Sequence, residues 1–515
     1  MNALLLRTLA AAAAGLLALT ASAAAHADAA HIDDTGLVRT GGGLLRGTVT
    51  AETRSFQGIP YAAPPVGDLR WRAPEPAAPW DGVRDAAAPG APCLQPSRDP
   101  GAPTGSEDCL YLDVHTPNRA AGPLPVLVFL HGGGLRSGSG DMYDPVRIVE
   151  RGEAVVVTLN YRLGALGWLA HPDLDDPDAG NFGLADQQAA LAWVREEIAA
   201  FGGDPGNVTL WGQSAGGRSV CAQLAAPGAA GLFDKAIVQS APCGNAVVAV
   251  EEAERRGLAH AAALGCDGAD AESCLREADP ADLVALAPDD GLHRRAADLP
   301  WSPVAGTEAL PLQPLAAMRR GLAADVPLLH GGTSDEMRSI VYGAFDGLDG
   351  PVTEAEYPRV VEDLYGGRTA RAILAKYPAG DYGSPSIALA TLLTDDGGQL
   401  GICSQLPALE AAAQYAPAYA YEFAEPTEPY NGFPFGANHS SDLGYFFDTP
   451  FGPRPEGDRS VLSEAMIDHW TAFAVDGDPG WPEYERRGAY TFAAAGSGMA
   501  DMAAGHHCGF WNRLS

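Results

Sequence analysis

Lysine is almost missing from this 515-residue chain: Lys235 and Lys376 stand alone, and every other basic side chain is an arginine. We read that shortage as a coding bias. Positive charge as a whole is scarce. Thirty-three Lys and Arg face 65 Asp and Glu, for a formal charge of −32, and that balance excludes a protein built to embrace nucleic acid. Beyond the first 27 residues no stretch reaches the ~18 uninterrupted apolar residues of a membrane span, so we expect no integral membrane span there. No internal repeat, metal-ligand spacing or cofactor fingerprint occurs, so we expect no metal and no cofactor. Nothing in the chain marks an oligomeric state.

What is present describes a packed globular protein, at 46% hydrophobic and 8% aromatic residues. The length suits two to four average domains or one enlarged α/β unit. At the N-terminus Arg7 precedes an apolar stretch from Thr8 to Leu19. Ala25-His26-Ala27 then has the A-x-A form of a signal-peptidase site. The stretch is short for a ~30 Å hydrocarbon core. We therefore expect residues 1–27 to be a cleaved signal peptide, with Ala23 as the second choice of site, and the protein to be secreted. Export makes the eight cysteines readable as disulfides. Cys93/Cys109 and Cys266/Cys274 are local pairs in polar Gly/Asp/Pro-rich segments, where loop staples belong. Eight cysteines allow 105 connectivities, so spacing alone fixes nothing more.

Short apolar runs alternate with helical patterns. Val126–His131, Ala154–Leu159, Val208–Trp211, Lys235–Gln239, Val326–His330 and Ala418–Phe423 read as buried strands. Asp186–Phe201, a segment through Leu224, and Leu462–Ala474 read as helices. The alternation implies an α/β fold with a large, mostly parallel sheet and helices on both faces. Pro74–Pro103 and Tyr377–Ser386 read as surface excursions.

Chemistry concentrates after the strand Val208–Trp211. Gly212-Gln213-Ser214-Ala215-Gly216 is a G-x-S-x-G turn between a strand and a helix. Such a turn projects a strained serine above a sheet and aims helix N–H groups at the space over it. Upstream, His131-Gly132-Gly133-Gly134 ends another strand. No Lys-Ser/Thr follows, so this is not a P-loop. Consecutive glycines let amides face a cavity, and Gly133 and Gly134 with the Ala215 N–H are candidate oxyanion donors. His131 itself reads as a residue that shapes that loop. A serine nucleophile needs a base and the base an orienter. His439, in a loop after the late strand Ala418–Phe423, is the candidate base. Asp335-Glu336, after Val326–His330, supplies the carboxylate in the chain order Ser, acid, His, and composition does not choose between the two.

Longer motifs carry a resemblance. Phe56-Gln57-Gly58-Ile59-Pro60-Tyr61-Ala62 with Pro64-Pro65-Val66-Gly67, and Ser106-Glu107-Asp108-Cys109-Leu110-Tyr111-Leu112, look like two signatures of one family. Asn160-Tyr161-Arg162-Leu163-Gly164, Gly180-Asn181 with Asp186-Gln187, and Phe201-Gly202-Gly203-Asp204-Pro205 stand at its expected stations. The chain thereby resembles the type-B carboxylesterases, α/β-hydrolases that include cholinesterases, bacterial carboxylesterases and some fungal lipases, and reads as a secreted bacterial member. The match runs over nearly all of residues 28–515, which implies one enlarged hydrolase domain. It implies Ser214 as nucleophile, His439 as base and Glu336, the Glu of an Asp-Glu pair, as acid. It supports the bridges Cys93–Cys109 and Cys266–Cys274 and adds Cys403–Cys508. Cys221–Cys243 is our own inference: Cys221 is seven residues past Ser214, and Cys243 lies just past the next strand.

Three departures from the family pattern stand out. Gln213 replaces the usual Glu before the nucleophile. Leu135 replaces an aromatic after the triple glycine, which widens or softens the acyl side. Arg218 stands where a small residue is usual, and we expect it to pair with a carboxylate. Leu299 and Trp301 are candidates for the acyl-pocket wall. In cholinesterases the loop corresponding to Cys93–Cys109 carries a Trp for the quaternary ammonium; here Leu94 to Asp108 contains no aromatic, which disfavours choline esters. The same loop is too short for the lid of the fungal lipases. The expected partner is a small-molecule ester with a short- to medium-chain acyl group. The alternatives are a lipase for longer acylglycerols and a non-catalytic, cholinesterase-like binding protein.

Overall fold

The computed structural model describes residues 36–514 apart from 98–101, 119, 121, 175, 287–291, 294, 349, 397, 486 and 487. The expected signal peptide at 1–27 lies outside the described residues. Eleven strands form the main sheet: β1 (Thr48–Val49), β2 (Thr53–Pro60), β3 (Tyr111–Pro117), β4 (Leu124–Leu130), β5 (Val155–Leu159), β6 (Gly203–Gln213), β7 (Lys235–Gln239), β8 (Leu328–Thr333), β9 (Ala418–Phe423), β10 (Gly488–Phe492) and β11 (Gly498–Asp501). Their spatial order is β11-β10-β9-β8-β7-β6-β4-β5-β3-β2-β1. The seven strands from β10 to β5 run parallel, while both flanks are antiparallel.

The central strands are apolar on both faces because both faces are covered. Side chains alternate across the sheet with period two. Val126, Val128 and Leu130 of β4, with Ala236 and Val238 of β7, belong to one core. Leu127 and Phe129 of β4, with Ile237 of β7, belong to the other. Helix α1 (Phe182–Glu197) closes the first face through Phe182, Leu191 and Val194. Helix α4 (Asp458–Asp476) closes the second with Met466, Trp470 and Phe473. Between them in sequence lie α2 (Ala215–Ala225) and α3 (Pro385–Asp395). Among the described residues no helix is long and apolar enough to cross a membrane.

Two features were not foreseen. The flanking strands β2 and β3 escape a search for apolar runs because both mix polar residues into the strand, and β2 is broken by a register shift between Phe56 and Ile59. Tyr377, read as the start of a surface excursion, is fully buried in a third, C-terminal core. Its hydroxyl donates to Asp395 at 2.8 Å and accepts from the Trp511 indole at 2.9 Å.

All eight cysteines are bridged, as Cys93–Cys109, Cys221–Cys243, Cys266–Cys274 and Cys403–Cys508. Cys221–Cys243 ties α2 to the segment leaving β7, the arrangement inferred from chain position. Cys403–Cys508 spans a separation of 105 residues. A loop of that size constrains the unfolded chain by about 4 to 5 kcal/mol in the chain-entropy account.

Candidate active site

The sheet delivers its chemistry at the C-terminal ends of neighbouring parallel strands, the usual place for a site in an α/β fold. Strand β6 ends at Gln213, α2 begins at Ala215, and Ser214 is the single residue between them. Its backbone sits at φ 57°, ψ −121°, a conformation that costs a non-glycine residue about 1–3 kcal/mol. The surroundings hold it there. The Ser214 amide donates to the Gln239 carbonyl of β7 at 2.9 Å. Glycine is required on both sides: a Cβ on Gly212 would meet the Gly216 carbonyl carbon at 2.5 Å, and one on Gly216 would drive into the Leu130 carbonyl oxygen.

Strand β8 ends at Thr333, and Glu336 follows three residues later, wholly buried. One carboxylate oxygen accepts the Thr333 amide at 2.7 Å, and the other meets His439 Nδ1 at 2.6 Å. His439 Nε2 lies 2.8 Å from Ser214 Oγ. Asp335 turns away. It accepts the Ala437 amide at 3.0 Å and pairs with Arg338 at 2.7 Å. The choice left open by composition is therefore made by geometry: Glu336, not Asp335, touches the histidine.

The glycine loop after β4 carries three consecutive left-handed residues, Gly133 (φ 109°), Gly134 (φ 67°) and Leu135 (φ 59°). A Cβ on Gly132 would lie 3.1 Å from the Ser214 Cβ, so this loop passes directly over the serine. Neither the Gly133 nor the Gly134 nor the Ala215 amide donates to an acceptor among the described residues. His131 stays beneath the loop. Its ring stacks on Tyr161 at 4.3 Å, and burial pushes its pKa down to about 4, so it is neutral at physiological pH. Leu135 is fully buried, and its carbonyl accepts the Gly164 amide. Leu299 and Trp301 are both core residues. Trp301 packs on the His260 ring, and the cavity it lines contains none of Ser214, Glu336 and His439.

Gln213 is buried and its amide donates to Ser440 Oγ at 3.0 Å, one residue from His439. Arg218 does not find the expected carboxylate. It is 8% exposed and makes no ion pair with a described residue.

Sequence reasoning gave no role to Asp442 or Gln239. Asp442 is wholly buried. Its Oδ2 accepts the Gln239 amide at 2.9 Å, and Gln239 in turn accepts the Trp211 indole N–H. Burial first, then the charge of Glu336, pushes the Asp442 carboxyl up to about 7, against the pull of His439. Asp442 thus titrates beside the histidine in the neutral range. The only signal in the sequence was its place three residues after His439.

The carboxylesterase family model matches residues 34–511. The para-nitrobenzyl esterase of Bacillus subtilis (strain 168) is 35% identical over 479 residues, covering 87% of this chain and 92% of that one. The fumonisin B1 esterase of Sphingopyxis macrogoltabida is 35% identical over 498 residues, covering 89% and 87%. A solved para-nitrobenzyl esterase structure superposes with a TM-score of 0.77 at 33% identity, covering 93% of this chain and all of that one. The chain belongs to the carboxylesterase family and is a carboxylic ester hydrolase of the α/β-hydrolase fold.

Proposed function

We propose that this enzyme hydrolyses short- to medium-chain carboxylic esters through Ser214, His439 and Glu336, by way of an acyl-enzyme. The observation that carries the reading is the bridging position of His439, 2.8 Å from Ser214 Oγ on one side and 2.6 Å from Glu336 on the other. His439 takes the Ser214 proton as Oγ attacks the ester carbonyl. The amides of Gly133, Gly134 and Ala215 receive the oxyanion. The imidazolium then protonates the leaving alcohol, and water, deprotonated by the same histidine, releases the acid. Glu336 fixes the imidazole tautomer and stabilises its charged form. Residues 1–27 direct secretion. A short Cys93–Cys109 loop, without aromatics or room for a lid, supports small esters over choline esters and long acylglycerols.

One experiment on enzyme recovered from culture medium tests the whole reading. A fluorophosphonate probe is expected to label Ser214, and the mature N-terminus is expected at Asp28. Across p-nitrophenyl acetate, butyrate, hexanoate, octanoate and palmitate, kcat/KM is expected to peak before palmitate. Failure to label Ser214 refutes the nucleophile, and a maximum at palmitate turns the substrate reading toward lipase.

Gln213 gives a pH prediction. A carboxylate at this position would favour the imidazolium form of His439. Gln213→Glu is therefore expected to move the acidic limb of kcat/KM to higher pH, by up to about one unit. Superimposable limbs for the two enzymes would show that this side chain does not tune the base.

A further inference from the structure

One patch of the main sheet is polar where its neighbours are apolar. On the second face, Leu127 and Phe129 of β4 and Val156 of β5 belong to the core. Toward the antiparallel flank that face carries Thr158 of β5, Asp113 and His115 of β3, and Ser55 and Gln57 of β2. The register sets Asp113 opposite Thr158 and Ser55 opposite His115. Their chain neighbours Phe56, Val114, Val157 and Leu159 belong to the other core. Alternation therefore turns the five polar side chains toward the space under residues 140–149. That space is a cleft of about 290 Å³.

The cleft is acidic from floor to mouth. Asp113, in the floor, is 4% exposed, while Asp141 and Asp144 stand exposed at the mouth. Among the described residues no Lys or Arg lines it. Arg147 pairs with Asp448 at 3.3 Å, and its charge reaches Asp144. Asp113 and Asp141 meet neutral donors: Asp113 accepts the Gly58 amide at 2.8 Å, and Asp141 accepts the Ser139 hydroxyl. His115 supplies no charge, since burial pushes its pKa down to about 4. Burial, with the charge of Asp141 adding to it, pushes Asp113 up to about 7 against the Gly58 hydrogen bond. Beside Asp113, Thr158 is 1% exposed and its Oγ1 has no hydrogen-bond partner. A buried carboxylate and an idle buried hydroxyl both cost stability, and apolar side chains would remove the cost. A cleft of the same size beside Trp80 is also lined by glutamates, Glu75, Glu196 and Glu197, but none of them is buried. Solvation accounts for that surface and not for Asp113.

We propose that the flank cleft binds an alkylammonium cation, a linear di- or polyamine, with one ammonium on Asp113 beside Thr158 and the next between Asp141 and Asp144. Ammonium groups bring three N–H donors each and answer separated carboxylates one at a time. The methylene chain between them has Tyr143, Val146 and Val149 to lie against. A bare metal ion does not suit the cleft: among the described residues no three His, Cys, Asp or Glu side chains converge to hold one. The cleft contains none of Ser214, Glu336 and His439, so the site is separate from the ester chemistry and does not depend on that reading.

Calorimetric titration of the full enzyme with putrescine, spermidine and spermine tests this, with the diol analogue of putrescine and tetramethylammonium as controls. Salt is held near 0.15 M, where a Debye length of about 8 Å screens the general pull of the acidic surface. At least one amine is expected to bind saturably at one site, and the diol not at all. Asp113→Asn keeps an acceptor for the Gly58 amide and is expected to weaken binding by about 10- to 100-fold. Asp141→Asn, on the exposed mouth, is expected to weaken it by less, and Glu196→Gln in the other acidic cleft to leave it unchanged. Absence of saturable binding by all three amines overturns the proposal. So does affinity that neither Asp113→Asn nor Asp141→Asn alters, since the amines would then sit elsewhere on the surface. Tetramethylammonium binding as tightly as the amines overturns it too, because the N–H groups would play no part.

Discussion

Ser214→Ala is expected to lose about a factor of 10⁶ in kcat, by analogy with other serine hydrolases. On the proposed mechanism the loss is that large because the serine, histidine and glutamate act as one unit. Without Oγ, His439 has no proton to take and Glu336 nothing to orient. His439→Ala should therefore cost about as much, and the double variant little more than either alone. Glu336→Gln should cost less, on the order of 10⁴, since the histidine keeps its place while losing the charge that stabilises its protonated form. On the proposed mechanism, what remains in each variant is the work of the amides of Gly133, Gly134 and Ala215, whose oxyanion role needs none of the three side chains. Single-turnover assays with p-nitrophenyl butyrate separate these losses from effects on binding. A Ser214→Ala enzyme with a large part of its activity would remove the nucleophile assignment, and near-additive losses in the double variant would remove the concerted role.

The serine was legible because its signal is local. A buried strand, two obligatory glycines and a helix lie within some twenty residues, and the backbone at φ 57° follows from that pattern. His439 and the Asp335-Glu336 pair were legible at one remove, as residues in loops beyond late parallel strands, and only the family resemblance chose Glu336 within the pair. The parallel core was readable because strands covered on both faces become continuous apolar runs. The antiparallel flank was not, since β2 and β3 mix polar side chains into their pattern. Asp442 and Gln239 meet across 203 residues of sequence, and no periodicity announces such a pair. Arg218 was misread for a related reason. A surplus of carboxylates made a partner look assured, yet burial decides which ones can approach, and none of the described ones pairs with Arg218.

His506→Gln is expected to be the most destabilising polar substitution away from the Ser214 cleft, costing roughly 3–5 kcal/mol at neutral pH. The imidazole is clamped between two buried carboxylates, with Nδ1 2.6 Å from Asp395 and Nε2 2.6 Å from Glu422. Burial works against its charge, but the hydrogen bonds and charges of both carboxylates outweigh it and lift the pKa to about 10. The neutral glutamine side chain would leave two acidic groups facing each other. The clamp joins three distant pieces of chain: the end of α3 at Asp395, strand β9 at Glu422, and the C-terminal segment that Cys403–Cys508 also pins. Strand β9 leads on in sequence toward the His439 loop. The sign of its pH dependence follows from the raised pKa. An unfolded histidine titrates near 6.5, so the stabilisation is complete below that value, declines above it, and is lost as pH rises through about 10. In urea unfolding with all disulfides intact, the gap between wild type and His506→Gln should therefore be widest at pH 6 and narrow toward pH 10.5. A gap of constant size over that range would mean that His506 holds its place by packing alone, with no charge on the ring.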